Sequence, residues 1–216
     1  MKPYYSQFPK TGTRTVLYTM DKKLAKSQGH IILKEAKIPE NSKTFVTIRE
    51  PLSYYISMYN YKIRSKDPVK NYGTMENNSF DDFVNDYVKC NNLQKWEKPW
   101  KNNFRQKLIL KYIQGKNLNI GYFTFLYIFY SYKDPETVLT QPNILEFLKN
   151  NKPDIDHIIR LEHLDNDYNQ LVLNNDFPLV ENWKHLNQSK KLFRINKNDY
   201  SHLKIYDQHI YENFYS

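Results

Sequence analysis

Phe8-Pro9-Lys10-Thr11-Gly12-Thr13-Arg14-Thr15-Val16-Leu17 joins a short aromatic run to a helical pattern through a turn rich in hydrogen-bond donors. Tyr4 to Phe8 reads as a strand, ended by Pro9 and the Thr11-Gly12 turn. Behind the turn Val16, Leu17, Met20 and Leu24 recur at helical spacing, which predicts a helix from Thr13 to about Gln28 with Gly29 as its stop. The first turn of a helix carries N–H groups without intrahelical partners and a partial positive charge, so it attracts phosphate or sulfate. Gly12 permits close backbone approach, Thr11, Thr13 and Thr15 offer hydroxyls, and Lys10 and Arg14 supply cations. The spacing is not that of a Walker loop, because the lysine precedes the glycine. An ordinary turn before a helix has the same composition, so the segment alone leaves both readings open.

Working outward, Ile31 to Leu33 is a short candidate strand, and the β-branched Lys43 to Ile48 (KTFVTI) is a better one. Pro51 then suits the first turn of a helix whose apolar face is Leu52, Tyr55, Ile56 and Tyr59. Strand, loop, helix, strand, strand, loop, helix is the rhythm of an α/β fold with a parallel sheet flanked by helices, expected as one domain over residues 1–216. Further along, Ser79 and Asp82 resemble a capping box with Asp in place of Glu or Gln. Helices are expected at 104–114, 142–150, 165–173 and 199–211, and a late strand at 156–161 (DHIIRL). The polar stretch 61–78 reads as a loop near the entrance of a site. Residues 117–132 carry no charge and read as a buried element, too short to span a membrane.

The formal net charge is +9 on 216 residues, which draws anionic partners: nucleic acid, a phosphate-rich cofactor or an acidic polysaccharide. A solvated lysine-rich surface has the same charge, so this feature does not choose among them. With Cys90 as the single cysteine, an intrachain disulfide and a cysteine-based metal site are excluded. The start, Met1-Lys2-Pro3-Tyr4-Tyr5, lacks the apolar core of a signal peptide, so a soluble, cytoplasmic protein without membrane contact is expected. The 19 tyrosines, with abundant Asn, Lys and Ile, match the coding bias of an AT-rich genome such as that of a virus, which would make the compartment an infected cell. These tyrosines permit sugar stacking, but composition alone accounts for most of them.

A second segment, Arg49-Glu50-Pro51-Leu52-Ser53-Tyr54-Tyr55-Ile56-Ser57, sets an arginine at a strand end and a serine about two helical turns beyond it. An arginine fork and a hydroxyl can grip one phosphate together. Taken together, the two segments resemble the signatures of the PAPS-dependent sulfotransferases. The first is similar to their P-K-T-G-T/S-x-S/T-L loop, and the second to R-x-P-x-x-R-x-x-S, with Tyr54 standing where the family often has a second arginine. Ile158-Ile159-Arg160-Leu161-Glu162-His163-Leu164 resembles the R-x-E-x-L strand end of carbohydrate sulfotransferases. His185-Leu186-Asn187-Gln188-Ser189 resembles their H-x-N-x-S segment, followed by Lys190 and Lys191. Residues 61–140 carry no recognisable motif.

The resemblance implies a P-loop-like sulfotransferase fold, PAPS as sulfuryl donor with PAP as product, no metal, and an acceptor hydroxyl, expected on a glycan. It implies that Lys10 neutralises the leaving phosphate with help from the amides of Thr11, Gly12, Thr13, Arg14 and Thr15, and that Arg49 and Ser57 bind the 3′-phosphate. Gly29-His30-Ile31-Ile32-Leu33 resembles the G-H-x-x-L stretch of some glycan sulfotransferases, which makes His30 the expected general base. His163, His185 and Glu162 are its rivals, although Glu162 reads better as a buried structural partner for an arginine. Three alternatives stay open: a P-loop-like kinase using the same helix terminus, a nucleic-acid-binding protein, and a family member that binds PAP without catalysis. Absence of a Walker loop counts against the kinase. Nucleic-acid binding would not require Lys10, Arg49 and Ser57 at this spacing.

Overall fold

The computed structural model describes residues 2–24, 26–64, 79–90, 112–113, 116–174, 177–180, 183 and 200–215. Among them run β1 (Tyr4–Ser6), α1 (Thr13–Leu24), a 3₁₀ turn (Leu33–Glu35), β2 (Thr44–Ile48), α2 (Pro51–Arg64), α3 (Phe80–Val88) and α4 (Tyr122–Ser131). After these come α5 (Pro135–Leu139), α6 (Ile144–Asn150), β3 (His157–Arg160), a second 3₁₀ turn (Leu161–His163), α7 (Leu164–Leu173), α8 (Leu203–Tyr206) and α9 (Gln208–Phe214). The strands form a three-stranded parallel sheet in the order β1-β2-β3. The α/β class and the parallel sheet are therefore as expected. Contacts group the chain into two compact units, one of Met1–Glu50, Leu126–Pro135 and Asn151–Lys190, the other of Pro51–Phe125, Glu136–Asn150 and Lys191–Ser216.

The first unit holds the sheet. Every residue of β1 and β2 is buried, as parallel strands covered on both faces require. Tyr5, Phe45 and Ile159 point to one side, where Val16 and Met20 of α1, Leu164 and Tyr168 of α7, Phe177 and Val180 complete a core cluster. Tyr5 stacks on Phe45 with ring centroids 4.8 Å apart, and Phe177 meets Phe45 edge-on. Burying a side chain of this size contributes roughly 1.5–3 kcal/mol, against about 1–2 kcal/mol for ordering one residue of backbone. The aromatic load thus compensates for very short strands. Most of the largest fully buried side chains are tyrosines, Tyr4, Tyr5, Tyr127, Tyr130 and Tyr168 in this unit among them, so these are core residues and not a sugar-stacking surface.

The helix expected at 199–211 is two, α8 and α9, parted at Asp207. In the first unit two elements differ from expectation, for one reason. Helix α1 ends at Leu24 and does not reach Gln28, because Lys26 turns to the outer edge of β1. There its N–H donates to the Pro3 carbonyl at 2.9 Å and its carbonyl accepts from Tyr5 N–H at 2.8 Å. With that edge occupied, Ile31 to Leu33 form no strand, and Leu33–Glu35 close a 3₁₀ turn instead. The expected helix at 104–114 falls, apart from Tyr112 and Ile113, outside the described residues. So does most of the 61–78 stretch, whose first residues complete α2.

In the second unit Ser79 caps α3 by accepting the Asp82 N–H at 3.1 Å, the local signal expected from the sequence. The uncharged stretch is buried from Ile120 to Tyr132 and forms α4, apolar on every side, of which Tyr122–Phe125 belong to this unit. Its first turn is capped from far along the chain. The fully buried Asp207 accepts Thr124 N–H at 2.9 Å, Thr124 Oγ1–H at 2.7 Å and Tyr55 O–H at 2.9 Å. Burial and the Asp207 charge push the Tyr55 hydroxyl well above the usual phenol range. Asp207→Asn keeps the shape but removes the negative charge at a helix N-terminus. It should cost about 1–2 kcal/mol, read as a lower denaturant midpoint at unchanged slope.

Candidate active site at the carboxyl edge of the sheet

The loop after β1 is built by its own threonines. Thr11 Oγ1–H donates to the Phe8 carbonyl at 2.8 Å, and Thr13 Oγ1–H donates to the same oxygen at 3.0 Å. Beneath them Thr11 Oγ1 lies 3.1 Å from Thr47 Oγ1 on β2, which in turn lies 2.7 Å from the Tyr5 hydroxyl. Burial pushes the Tyr5 hydroxyl up to about 12, tempered by the threonine hydroxyls of 47, 13 and 11. This ladder holds Lys10 at φ +65° and Gly12 at φ +84°. A left-handed lysine costs roughly 1–2 kcal/mol, so the loop is kept in shape by its hydrogen bonds against a local backbone preference. Val16 N–H donates to Gly12 C=O at 3.0 Å, which opens α1 and leaves the first-turn amides ahead of it directed toward the loop.

This geometry revises two sequence readings. The hydroxyls of Thr11 and Thr13 direct their protons into the loop, and Thr11 is fully buried, so their main-chain amides are what they can offer an anion. Thr15 is buried as well, while Arg14 is exposed. Gly12 does not leave its missing side-chain space to a ligand: a Cβ there would lie 2.3 Å from Leu161 Cδ1. Burial holds the Lys10 amine down at about 8, and the Arg14 charge adds to the effect. A desolvated cation of this kind gains from a bound anion.

Arg49 follows the last residue of β2, at the same edge of the sheet as the loop after β1. The pairing of Ile48 with Arg160 brings it beside the turn that follows β3. There Arg49 Nε lies 3.7 Å from Glu162 Oε1, with both side chains about a third exposed, and Glu50 N–H donates to the Glu162 carboxylate at 3.3 Å. Glu162 is therefore an arginine's partner, but an exposed one and not the buried one expected. An ion pair this exposed is worth less than about 1 kcal/mol, so a phosphate dianion can compete for the guanidinium. Arg160 has a different task. Its Nε and Nη2 donate to the two oxygens of Asp167 at 2.9 and 2.8 Å, which locks β3 to α7. Burial raises the Asp167 pKa, but these bonds outweigh it and hold the carboxyl below its usual value.

His30 lies in the loop before the first 3₁₀ turn and not at the start of a strand. Its Nδ1 is 2.7 Å from the main-chain carbonyl of Gln7, the residue between β1 and Phe8. A carbonyl only accepts, so Nδ1 carries the proton and Nε2 is the basic nitrogen. The Tyr130 hydroxyl donates to the His30 carbonyl at 3.4 Å. Lys10, Arg49 and His30 all belong to the first unit. Ser57 is half-buried on α2 and belongs to the second, as does Tyr54, which is buried against Phe123 at 4.6 Å and serves as a core residue in place of an arginine. His163 is exposed after β3, whereas His185, Ser189, Lys190 and Lys191 lie outside the described residues.

Sequence reasoning missed Gln7 and Tyr130, whose contacts to His30 join residues far apart in the chain and leave no local signal. Among the described residues no cluster of His, Cys, Asp and Glu could hold a metal ion, and no helix is long and apolar enough to cross a membrane. No protein-family model matches the chain, and no curated protein or solved structure matches it.

Proposed function

We propose that this chain is a PAPS-dependent sulfotransferase of P-loop-like build that moves a sulfuryl group to an acceptor hydroxyl, in this reading one on a carbohydrate. The observation that carries the reading is the shared edge of β1 and β2. The lysine of a P-K-T-G-T loop and the arginine of an R-x-P-x-x-x-x-x-S segment, distant in sequence, follow adjacent parallel strands there. Ligands of open α/β sheets gather at that edge. The residues fit the donor: a desolvated lysine and first-turn amides suit its phosphosulfate end, and an exchangeable arginine suits its 3′-phosphate.

PAPS supplies the activated sulfuryl group. The chain's own part is to orient it, to balance the negative charge that grows on the leaving phosphate at Lys10 Nζ, and to take the acceptor proton at His30 Nε2. Cys90, buried and with its thiol pushed well up by burial and by the Asp207 charge, takes no part.

Calorimetric titration with PAP, beside AMP and ATP, tests this reading. PAP should bind well above the other two, and Arg49→Ala should lower PAP affinity about 10- to 100-fold, the worth of charge-assisted hydrogen bonds to one phosphate. Indifference to the 3′-phosphate would sink the proposal.

The Lys10 amine, held at about 8 by burial with the Arg14 charge adding, makes a pH prediction. The protonated amine attracts the anion, so affinity for PAP should be full below about pH 7 and fall as pH rises through 8. Near pH 8 binding should take up a fraction of a proton, visible as a binding enthalpy that depends on the buffer. A flat profile in the wild type, or an unchanged slope in Lys10→Met, would remove Lys10 from the phosphate site.

A further inference from the structure

We propose that Gln7 is the positioning residue for His30, fixing both the tautomer of its imidazole and its distance from the Lys10 loop. This rests on the reading of His30 as the base. Gln7 acts on the His30 segment at two points. Its main-chain carbonyl accepts from Nδ1 at 2.7 Å, and its side-chain amide donates to Ser27 Oγ. Gln7 is only 7% exposed, so water competes poorly for either bond. Tyr130 provides a third point from α4. Its hydroxyl reaches the His30 carbonyl at 3.4 Å, its ring lies flat on Phe8 at 5.3 Å between centroids, and its carbonyl accepts from Ser6 Oγ at 2.9 Å.

Gln7 therefore grips the histidine segment directly, Ser6 and Phe8 act on it through Tyr130, and the same residues run on into Lys10. This short path holds the base to the phosphate loop. A neutral imidazole in water exchanges between two tautomers, and only the Nδ1–H form presents Nε2 as the proton acceptor. Partners that orient a reacting histidine in this way are worth roughly 10- to 100-fold when removed from metal-bound histidines, and a similar order is expected here.

The test is histidine ¹⁵N NMR on the intact chain above the imidazole titration, beside steady-state kinetics with PAPS. Wild-type His30 should show the Nδ1–H tautomer. Gln7→Leu leaves the main-chain carbonyl in place but removes the side-chain amide that anchors Ser27, so it should loosen the Nδ1 bond, shift part of the population toward the Nε2–H form that free histidine favours and lower kcat about 10-fold with KM for PAPS unchanged. Ser27→Ala should move both readouts the same way by less, and the double variant should be no worse than Gln7→Leu alone. Ser27→Ala also serves if Gln7→Leu fails to fold. An Nε2–H tautomer in the wild type, or a tautomer that both variants leave untouched, overturns the proposal. A tautomer shift in a protein that transfers no sulfuryl group keeps the positioning role and overturns the assigned reaction instead.

Discussion

Alanine in place of His30 should lower turnover about a thousandfold and leave PAP affinity within about twofold of wild type, the pattern of a lost general base. The hydrogen-bond partner of the imidazole on the loop side is the Gln7 carbonyl, so its removal should spare the contacts that an anion would make with Lys10, Arg49 and the first-turn amides. His30→Asn separates support from chemistry. Its amide can donate to the Gln7 carbonyl as Nδ1–H does but cannot accept the proton, so it should be as inactive as alanine and more stable. His163→Ala serves as the comparison, because that side chain is exposed after β3 and should tolerate loss with less than about a twofold effect. Single-turnover assays with PAPS and a panel of carbohydrate acceptors read all three. Full activity in His30→Ala would move the base elsewhere.

Valine at Gly12 should destabilise the protein by about 2–5 kcal/mol and abolish PAP binding. Two costs add: a left-handed β-branched residue, roughly 1–2 kcal/mol, and overpacking against Leu161, roughly 1–3 kcal/mol. The backbone there sits at φ +84°, and the new Cβ would approach Leu161 Cδ1 to 2.3 Å. Gly29 provides the matched control, with φ +81° and nothing within 4 Å of an added Cβ. Gly29→Val should therefore cost only the conformational term, roughly 1–2 kcal/mol. Trimming the obstacle in Gly12→Ala/Leu161→Ala should return part of the loss of Gly12→Ala, a coupling measurable by a double-mutant cycle in denaturant. Equal effects at the two glycines would mean that the Leu161 contact does not matter.

Much of the molecule follows from local chemistry. The β-branched run at 44–48 makes a strand, Pro51 opens α2, Ser79 caps α3, and the uncharged stretch ending at Tyr132 becomes a buried helix. Each of these depends on neighbours within one turn or one strand, which a sequence displays directly. The Ile31–Leu33 strand and the last turn of α1 fail because Lys26 bonds to the edge of β1, a competition between segments that no local propensity encodes. The ion pair of Arg49 with Glu162 was legible as a type of contact, but its Glu50 amide anchor was not.

The loop 8–17 illustrates the division. By itself the sequence determined a strand, a donor-rich turn and a helix start, since Pro9, Gly12 and the spacing of Val16, Leu17 and Met20 act through the backbone next to them. Only the tertiary structure decided what each group there does. The hydroxyls of Thr11 and Thr13 turn inward because Thr47 and the Phe8 carbonyl are in reach, and Leu161 fills the space above Gly12. Gln7 takes hold of a histidine 23 residues away. Hydrogen bonds and packing are set by distance in space, and distance in space depends on every segment that folds beside the loop.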